Sequence, residues 1–372
     1  MSQAEAVVTK FNWQRAVIKV GSALIAPDGA GCRTEYLLAL AQFINASRRQ
    51  GKELVLVSSG AVAAGRNAMS AEQKPTLAQK QAMAAVGQTR MMANWARLFD
   101  FPTAQILLTH GDIRDRDRYL NIKSTIRELL AHQILPIVNE NDSVATEELK
   151  FGDNDNLGAL VALVADADTL IICTDVDGLY DADPRSNPQA RLLTSVESVS
   201  KEIMALAGGS GSSVGTGGMQ TKLQAAQKAS ANGIQTLIVN GYKAASFDAL
   251  SKGLVPGTLF SPALSRSGAK KQWLRHSLKA KGKIHIDAGA KQALVQRGAS
   301  LLPVGVSSVE GQFAAGDAVE VCFENDLLAI GLSLFSASEL SKIKGLQSQQ
   351  LETVLGYAGH EEVVHRDDLV LL

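Results

Sequence analysis

Short apolar runs recur through about the first 260 residues, and longer amphipathic segments separate them. The runs are too short for helices, so they predict buried strands at 15–21, 53–59, 104–108, 134–138, 169–173 and 235–239. The longer segments repeat apolar residues every three or four positions, which predicts helices at 34–50, 76–99, 119–132, 154–165 and 219–232. Strands that alternate with helices favour an α/β domain in which helices cover both faces of a mainly parallel sheet.

The pattern changes after residue 262. No acidic residue occurs between positions 249 and 286, and basic residues stand at 252, 266, 270, 271, 275, 279, 281 and 283. Short β-like runs bounded by glycine and turn residues follow at 283–286, 301–306, 318–323, 327–332 and 369–372. We therefore predict an α/β domain at 1–262, a basic linker at 263–280 and a small, mostly β domain at 281–372.

Composition excludes several classes of protein. The 372-residue chain is 46% hydrophobic and 20% charged, which excludes a disordered chain. Its 37 basic and 37 acidic residues balance, so bulk charge does not favour nucleic-acid binding. The 3 cysteines are far apart, which excludes a disulfide framework and a CxxC metal site. Residues 1–11 lack a signal-peptide pattern and the apolar runs are shorter than a membrane span, so we expect a cytoplasmic protein.

Glycines concentrate where a phosphate group could be bound. A Gly/Ser-rich run at 208–218 leads into the predicted helix at 219–232, whose N-terminus and open backbone N–H groups favour an anion. Lys222 in the first turn would add a full positive charge. Lys19, inside the first strand and followed by Gly21, is a second candidate, because a lysine in a buried strand usually has a specific role. The run matches neither a P-loop nor a Rossmann fingerprint, and taken alone it fits a flexible connector equally well.

Asparagine and aspartate cluster between positions 139 and 155. Five of these side chains fall at the carboxyl end of a predicted strand or in the first turn of a predicted helix: Asn139, Asn141, Asp142, Asn154 and Asp155. Ligands bind at that edge of a parallel sheet, and asparagine can bond both an ammonium and a carboxylate group. The cluster therefore favours an amino-acid substrate, and Asp155 could also hold two lysines apart and orient them.

Two apparent catalytic motifs have the wrong spacing or context. His360 and His365 are five positions apart, so on a helix their rings would point about 140° apart, unlike those of a zinc-binding HExxH motif. The string GxSxG at 211–215 does not directly follow a predicted strand, as a nucleophile elbow must. Neither motif predicts a hydrolase.

Taken in order, the remaining motifs resemble the amino-acid kinase family and, within it, the glutamate 5-kinases. They are KVGS at 19–22, SSGAVAAG at 58–65, NEND at 139–142, GDNDN at 152–156, TD at 174–175 with GLY at 178–180 and DPR at 183–185, and GTGGMQTK at 215–222. The C-terminal segment, with GASLLP at 298–303, is similar to the PUA domain that bacterial members often carry. The resemblance covers nearly the whole chain.

The resemblance implies catalytic and substrate-binding roles for matched residues. Lys19 and Lys222 would contact the transferring phosphoryl group, and Asp155 would organise them. Ser59, Asp142 and Asn154 would bind L-glutamate. No residue is assigned to a metal, and Mg²⁺ would be held mainly by the ATP phosphates.

A larger set of residues would hold ATP. It comprises Lys19, Thr174, Asp175, Thr216, Gly217, Gly218, Met219, Gln220, Thr221 and Lys222. The sequence departs from the family pattern at Ala23, where members commonly carry another small polar residue, so position 23 is assigned no role.

The resemblance also implies a place in metabolism and several partners. The expected reaction is the first step of proline biosynthesis, with proline as feedback inhibitor and glutamyl phosphate reductase as the enzyme that receives the product. A homo-oligomer, either dimer or tetramer, is expected as well.

Other functions stay open at this point. Acetylglutamate kinase, aspartokinase and nucleoside-monophosphate kinase keep the same fold and differ in substrate. An RNA-binding protein is an alternative from another class, because PUA-like domains occur in RNA-modifying enzymes and the predicted linker is basic. No aromatic stacking stripe is evident in the small domain, which argues against RNA binding as the main function.

Overall fold

The computed structural model describes residues 11–29, 31–69, 75–145, 154–207, 218–263, 280–324, 326–357 and 359–372. The chain divides into two compact units: Met1–Arg114 with Asn121–Arg266, and Asp115–Leu120 with Ser267–Leu372. Most of the predicted linker lies outside the described residues, so the domain limits at 262 and 281 stay predictions.

The larger unit is built on one sheet. Its strands are β1 (Arg15–Val20), β2 (Glu53–Ser58), β3 (Thr103–Leu108), β4 (Leu135–Glu140), β5 (Thr169–Thr174), β6 (Ser195–Val196), β7 (Gln235–Asn240) and β8 (Thr258–Phe260). They lie in the order β3-β4-β2-β1-β5-β7-β8-β6, and all neighbours are parallel except β7 and β8. All the predicted strands of this unit are confirmed to within a few residues. The short strands β6 and β8 were not predicted, because their apolar runs are too brief to stand out.

Helices up to residue 251 connect these strands. They are α1 (Ser22–Ile25), α2 (Leu38–Arg49), α3 (Ala61–Gly65), α4 (Leu77–Ala96), α5 (His110–Arg114), α6 (Arg116–Ala131), α7 (Asn154–Val164), α8 (Lys201–Leu206), α9 (Met219–Ala231) and α10 (Ala244–Ser251). The predicted α/β architecture with a mainly parallel sheet is confirmed. Strand β1 lies in the middle of the sheet, where Lys19 is level with Val57 on one side and Ile172 on the other.

Helices α3 and α4 approach each other so closely that glycine is required on both. A Cβ at Gly65 would lie 1.9 Å from the Met83 carbonyl oxygen, and one at Gly87 would lie 1.8 Å from that of Ala61. The start of α4 is fixed by a capping box, in which the Thr76 hydroxyl and the Gln79 amide each accept from the other residue's backbone N–H. The loop after β2, which leads directly into α3, is thereby held against α4.

The C-terminal unit contains β9 (Gly282–Ile286), β10 (Val306–Gly311), β11 (Ala318–Phe323), β12 (Asp326–Leu332) and β13 (Leu369–Leu371), in the order β10-β9-β11-β12-β13. Its helices are α11 (Ala288–Arg297), α12 (Ala337–Ile343) and α13 (Leu351–Leu355). The predicted strand at 301–306 is wrong: Pro303–Gly305 forms a 3-10 turn and the strand begins at Val306. The helices were not predicted. Asp287 caps the longest of them by accepting the backbone N–H of Ala290 at 2.7 Å.

Among the helices that the structure describes, none combines the length and the apolar character needed to cross a membrane.

We predict that Gly87→Ala destabilises the protein, because its methyl group would have to push α3 away from α4. The free energy of unfolding should fall by about 2–3 kcal/mol, as for other overpacked cores, and urea denaturation measures it. Gly111→Ala is the control, since its Cβ would meet nothing closer than 3.6 Å. A Gly87→Ala variant as stable as the control would contradict the close packing of these helices.

Candidate active site

A buried carboxylate lies between two buried lysines at the carboxyl edge of the sheet. Lys19 Nζ lies 2.7 Å from Asp155 Oδ1, and Lys222 Nζ lies 3.2 Å from Asp155 Oδ2. Asp155 is completely buried, and Lys19 and Lys222 are only 6% and 5% exposed. The structure thus brings together three residues that the sequence analysis assigned to phosphoryl transfer.

Each member of this triad comes from a different element. Lys19 lies on β1, Asp155 in the first turn of α7 and Lys222 in the first turn of α9. Helix α7 can approach β1 because Gly158 faces the lysine stem: a Cβ there would lie 3.3 Å from Lys19 Cβ. The Thr221 hydroxyl lies 2.7 Å from Asp155 Oδ2 and 2.8 Å from the Gly218 carbonyl, which ties the start of α9 to α7.

The two lysines close to Asp155 set the ionisation of its carboxyl group. Burial raises the pKa of the Asp155 carboxyl, but Lys19, Lys222 and the Thr221 hydrogen bond together outweigh burial and lower that pKa to about 2. Burial raises the pKa of the nearby Cys173 thiol to about 12 even though the charge of Lys19 lowers it, so this thiol is neutral. Two positive charges and one negative charge therefore share this buried space, and the surplus positive charge suits an anion.

A chain of side-chain amides runs from the triad toward α4. Asn154 Nδ2 donates to the Ser58 carbonyl at 3.2 Å and to Asn139 Oδ1 at 3.0 Å. Asn139 Nδ2 donates in turn to Gln88 Oε1 at 2.8 Å. Two buried polar atoms beside this chain, Ser59 Oγ and Gln88 Nε2, have no hydrogen-bond partner among the described residues. Buried polar groups without a partner call for an explanation, and a ligand bound beside this chain of amides would supply one.

A cavity of about 280 Å³ opens at the carboxyl end of β5 and the N-terminus of α9. Of the residues assigned to ATP, the cavity is lined by Thr174, Asp175, Gly218, Met219 and Lys222. Thr174 Oγ1 donates to Asp175 Oδ1 at 3.0 Å. Because Lys222 lines this cavity and also belongs to the triad, the two are parts of one site.

A carboxylate–lysine pair supports the loop that borders this cavity. Lys243 Nζ lies 2.6 Å and 2.9 Å from the Asp177 carboxylate oxygens, and Asn240 Nδ2 donates to the same group at 2.9 Å. Hydrogen bonding from Lys243 lowers the pKa of Asp177. These residues carry no sequence signal, because a lysine or asparagine at or just beyond a strand end is indistinguishable from a surface residue without the fold.

Of the other predicted site residues, the structure describes some and leaves others outside its described ranges. Asp142 is half-buried in the turn after β4, and Gln220 and Thr221 lie in the first turn of α9. Thr216 and Gly217 lie outside the described residues. Gln88 was not identified, because a glutamine in an amphipathic helix carries no sequence signal of its own.

The site contains no candidate for a protein-bound metal ion within the described ranges. No group of three or more His, Cys, Asp or Glu side chains is close enough there to hold one. Asp155 is already paired with two ammonium groups, which disfavours a cation beside it.

A larger cavity, of about 560 Å³, lies at the amino edge of the sheet. It is bordered by the first residues of β2 and by the residues just before β4. Its basic side chains are partly engaged: the Arg48 guanidinium stacks on the Phe101 ring at 3.6 Å and donates to the Gln133 carbonyl. Ligands of parallel sheets bind at the carboxyl edge, so the smaller cavity is the better candidate despite its size.

Family models and curated relatives of known name match nearly the whole chain. The amino acid kinase family model matches residues 14–240, and the PUA domain model matches residues 282–355. Glutamate 5-kinase of Idiomarina loihiensis is 54% identical over 97% of this chain and 98% of its own length. Glutamate 5-kinase of Salinibacter ruber is 52% identical over 98% of this chain and 99% of its own. A UMP kinase from Bacillus anthracis aligns at 14% identity with a TM-score of 0.46, covering 68% of this chain and 97% of that one.

We predict that Asp155→Asn strongly destabilises the protein, because both ammonium groups would stay buried without a carboxylate. Breaking a buried ion pair costs about 3–5 kcal/mol, and urea unfolding at pH 7 measures the loss. Asp28→Asn is the matched control, since Asp28 pairs with Arg33 at the surface and both side chains are more than half exposed. Equal stability of the two variants would contradict the triad as a buried interaction.

We also predict that the wild type loses stability in acid more steeply than Asp155→Asn does. The Asp155 carboxyl has a pKa of about 2 in the folded protein against 3.8 for the free group. Its ionised form therefore stabilises the fold above about pH 4, and this contribution, of order 2 kcal/mol, is lost as the pH falls toward 2. The unfolding free energy of the wild type should decline more steeply over this interval than that of Asp155→Asn, and parallel declines would contradict the lowered pKa.

Proposed function

Because the chain belongs to the glutamate 5-kinases of the amino acid kinase family, we propose that it transfers the γ-phosphoryl group of ATP to the side-chain carboxylate of L-glutamate. The observation that carries this proposal is the triad of Lys19, Asp155 and Lys222, in which two ammonium groups converge on one carboxylate and Lys222 also lines the cavity at the carboxyl end of β5 and the N-terminus of α9. The relatives support the substrate, and the triad supports the chemistry.

The reaction needs charge stabilisation more than proton transfer. The γ-carboxylate of glutamate titrates near pH 4.3, so at neutral pH it is already an ionised nucleophile. One of its oxygens attacks the γ-phosphorus, the bond from phosphorus to the β–γ bridging oxygen breaks, and ADP leaves with the electron pair. No proton moves, so a general base is unnecessary. The work left to the protein is to align the carboxylate with the phosphate and to offset their repulsion.

The two lysines are placed to do that work. In our proposal Lys19 and Lys222 donate to oxygens of the transferring phosphoryl group, and Asp155 holds both ammonium groups in position. Because the triad is buried, the lysines are already oriented before substrate arrives, and their charges are poorly screened by water. This preorganisation favours the transition state, in which negative charge spreads over the phosphoryl oxygens.

ATP would occupy the cavity of about 280 Å³ with its phosphates toward Lys222. Thr174, Asp175 and the start of α9 at Gly218–Lys222 would hold the nucleotide, together with Thr216 and Gly217. Mg²⁺ would arrive on the ATP phosphates, where it supplies charge neutralisation. The donor set fits that assignment, since Asp155, the carboxylate nearest to the lysines, is ion-paired with both of them.

Glutamate would bind on the side of the amide chain. Ser59 offers a buried hydroxyl without a partner among the described residues, and Asn154 lies next to the triad. Asp142 adds a carboxylate that suits the α-ammonium group of an amino acid. With these three residues around the substrate, the γ-carboxylate would point toward Lys19 and Lys222.

We also propose what the family resemblance implies: a role in the first step of proline biosynthesis, inhibition by proline at the glutamate site, homo-oligomer formation, and transfer of the labile acyl phosphate to glutamyl phosphate reductase. The names of the relatives state the kinase activity only. RNA binding by the PUA domain stays the less favoured alternative.

Substrate identity is tested by measuring ADP release from ATP with L-glutamate, N-acetylglutamate, L-aspartate or UMP as acceptor. We expect turnover with L-glutamate at least about 100-fold above that with the others, because each lacks the charge pattern or length that the site matches. Faster turnover with another acceptor would contradict the proposal and identify which related kinase the chain resembles in activity.

We predict that Lys222→Ala lowers kcat by at least about 100-fold, equivalent to roughly 2.7 kcal/mol of barrier, while the protein stays folded. Steady-state kinetics, with circular dichroism to verify folding, measures this. Lys252→Ala, which removes an exposed lysine at the end of α10, is the control and should turn over like the wild type. Near wild-type kcat in folded Lys222→Ala would contradict the role of this lysine.

A further inference from the structure

Gln88 lies beside the proposed glutamate site but is not among the residues assigned to it above. It lies on the buried face of α4 and is 8% exposed. Its neighbours on α4 contact the residues that flank the loop after β2: Gly87 abuts the carbonyl of Ala61, which begins α3, and Met91 Sδ lies 3.1 Å from Oγ of Ser58, which ends β2. Gln88 is therefore placed alongside the loop that carries Ser59.

The amide chain has a defined direction, because it begins at a backbone carbonyl. The Ser58 carbonyl can only accept, so the atom of Asn154 that faces it must be the donor Nδ2. That donor also bonds Asn139, which must present its Oδ1, and Asn139 must then turn Nδ2 toward Gln88. The side chain of Gln88 consequently presents Oε1 to Asn139, and its Nε2 takes no part in the chain of amides.

The Nε2 of Gln88 is a buried donor without a partner among the described residues. A buried donor without an acceptor is destabilising, so its persistence points to a ligand that accepts from it. Asn139 and Asn154 lie between Gln88 and the triad, which places this donor at the end of the amide chain away from the two lysines. The acceptor expected at that end is the α-carboxylate of an amino acid.

We propose that Gln88 is a specificity-determining residue for the acceptor. Its Oε1 orients the amides of Asn139 and Asn154, and its Nε2 donates a hydrogen bond to the α-carboxylate of the substrate. This inference rests on the proposed function, because it takes glutamate as the substrate. A donor at this position favours an α-carboxylate over an α-carboxamide, which could present its own N–H groups instead.

The test compares two acceptors, L-glutamate and its α-amide, with the full-length enzyme. In Gln88→Glu the side chain keeps its length and can still accept from Asn139, but it offers a carboxylate where the donor was. We expect the KM for glutamate to rise at least about tenfold, with kcat within about threefold and the KM for ATP unchanged. We also expect the preference for glutamate over the α-amide, as a ratio of kcat/KM values, to fall at least about tenfold.

A matched control separates recognition from packing. Asn94 is a second buried amide on α4, and its Nδ2 donates to the Arg33 carbonyl at 3.2 Å. Asn94→Asp introduces a similar buried acid outside the amide chain, so it should reduce stability without changing the acceptor preference. If Gln88→Glu does not fold, Gln88→Met serves instead: it removes the donor without adding charge, and the preference should fall at least about threefold.

The outcomes are distinguishable. A wild-type enzyme that does not phosphorylate glutamate would contradict the proposed function itself. An active wild type, together with a folded Gln88→Glu or Gln88→Met variant whose glutamate KM is within twofold and whose acceptor preference is unchanged, would overturn only the role of Gln88.

Discussion

The interaction on which the site depends is the buried pairing of one carboxylate with two lysines. Asp155 joins a central strand, the helix after the acidic loop and the helix after the glycine run, and each of these elements carries one member of the triad. Without Asp155, two ammonium groups would repel each other in a buried space. With it, they form a fixed positive surface toward which both the glutamate carboxylate and the ATP phosphates can be directed.

Glycine makes this arrangement sterically feasible at two places. Gly158 lets α7 approach the stem of Lys19, and the contact of Gly65 and Gly87 holds α3 against α4. The second contact matters for the acceptor pocket, since α3 follows the loop that carries Ser59 and α4 carries Gln88. The same close packing that stabilises the sheet-covering helices thus positions the polar groups on the substrate side of the triad.

The sequence predicts the larger unit better than the smaller one, for physical reasons. Buried parallel strands are continuous apolar runs, and Lys19 stands out because a lysine inside such a run is rare. Asp155 and Lys222 stand out through the motifs in which they lie, GDNDN and GTGGMQTK. In the C-terminal unit, Pro303 interrupts an apolar run and delays the strand to Val306. Gln88 could not be identified in advance, because its role depends on a hydrogen-bond chain that only the fold assembles.

The central claim is that Lys19 and Lys222 together receive the phosphoryl group while glutamate presents its side-chain carboxylate to it. The most direct measurement is a crystal structure with L-glutamate, Mg²⁺ and a non-hydrolysable ATP analogue. We expect both ammonium groups within about 3.2 Å of γ-phosphate oxygens, with a γ-carboxylate oxygen in line with the phosphorus. A γ-phosphate bound beyond the reach of both lysines, or glutamate bound with its side-chain carboxylate turned away from it, would contradict this account.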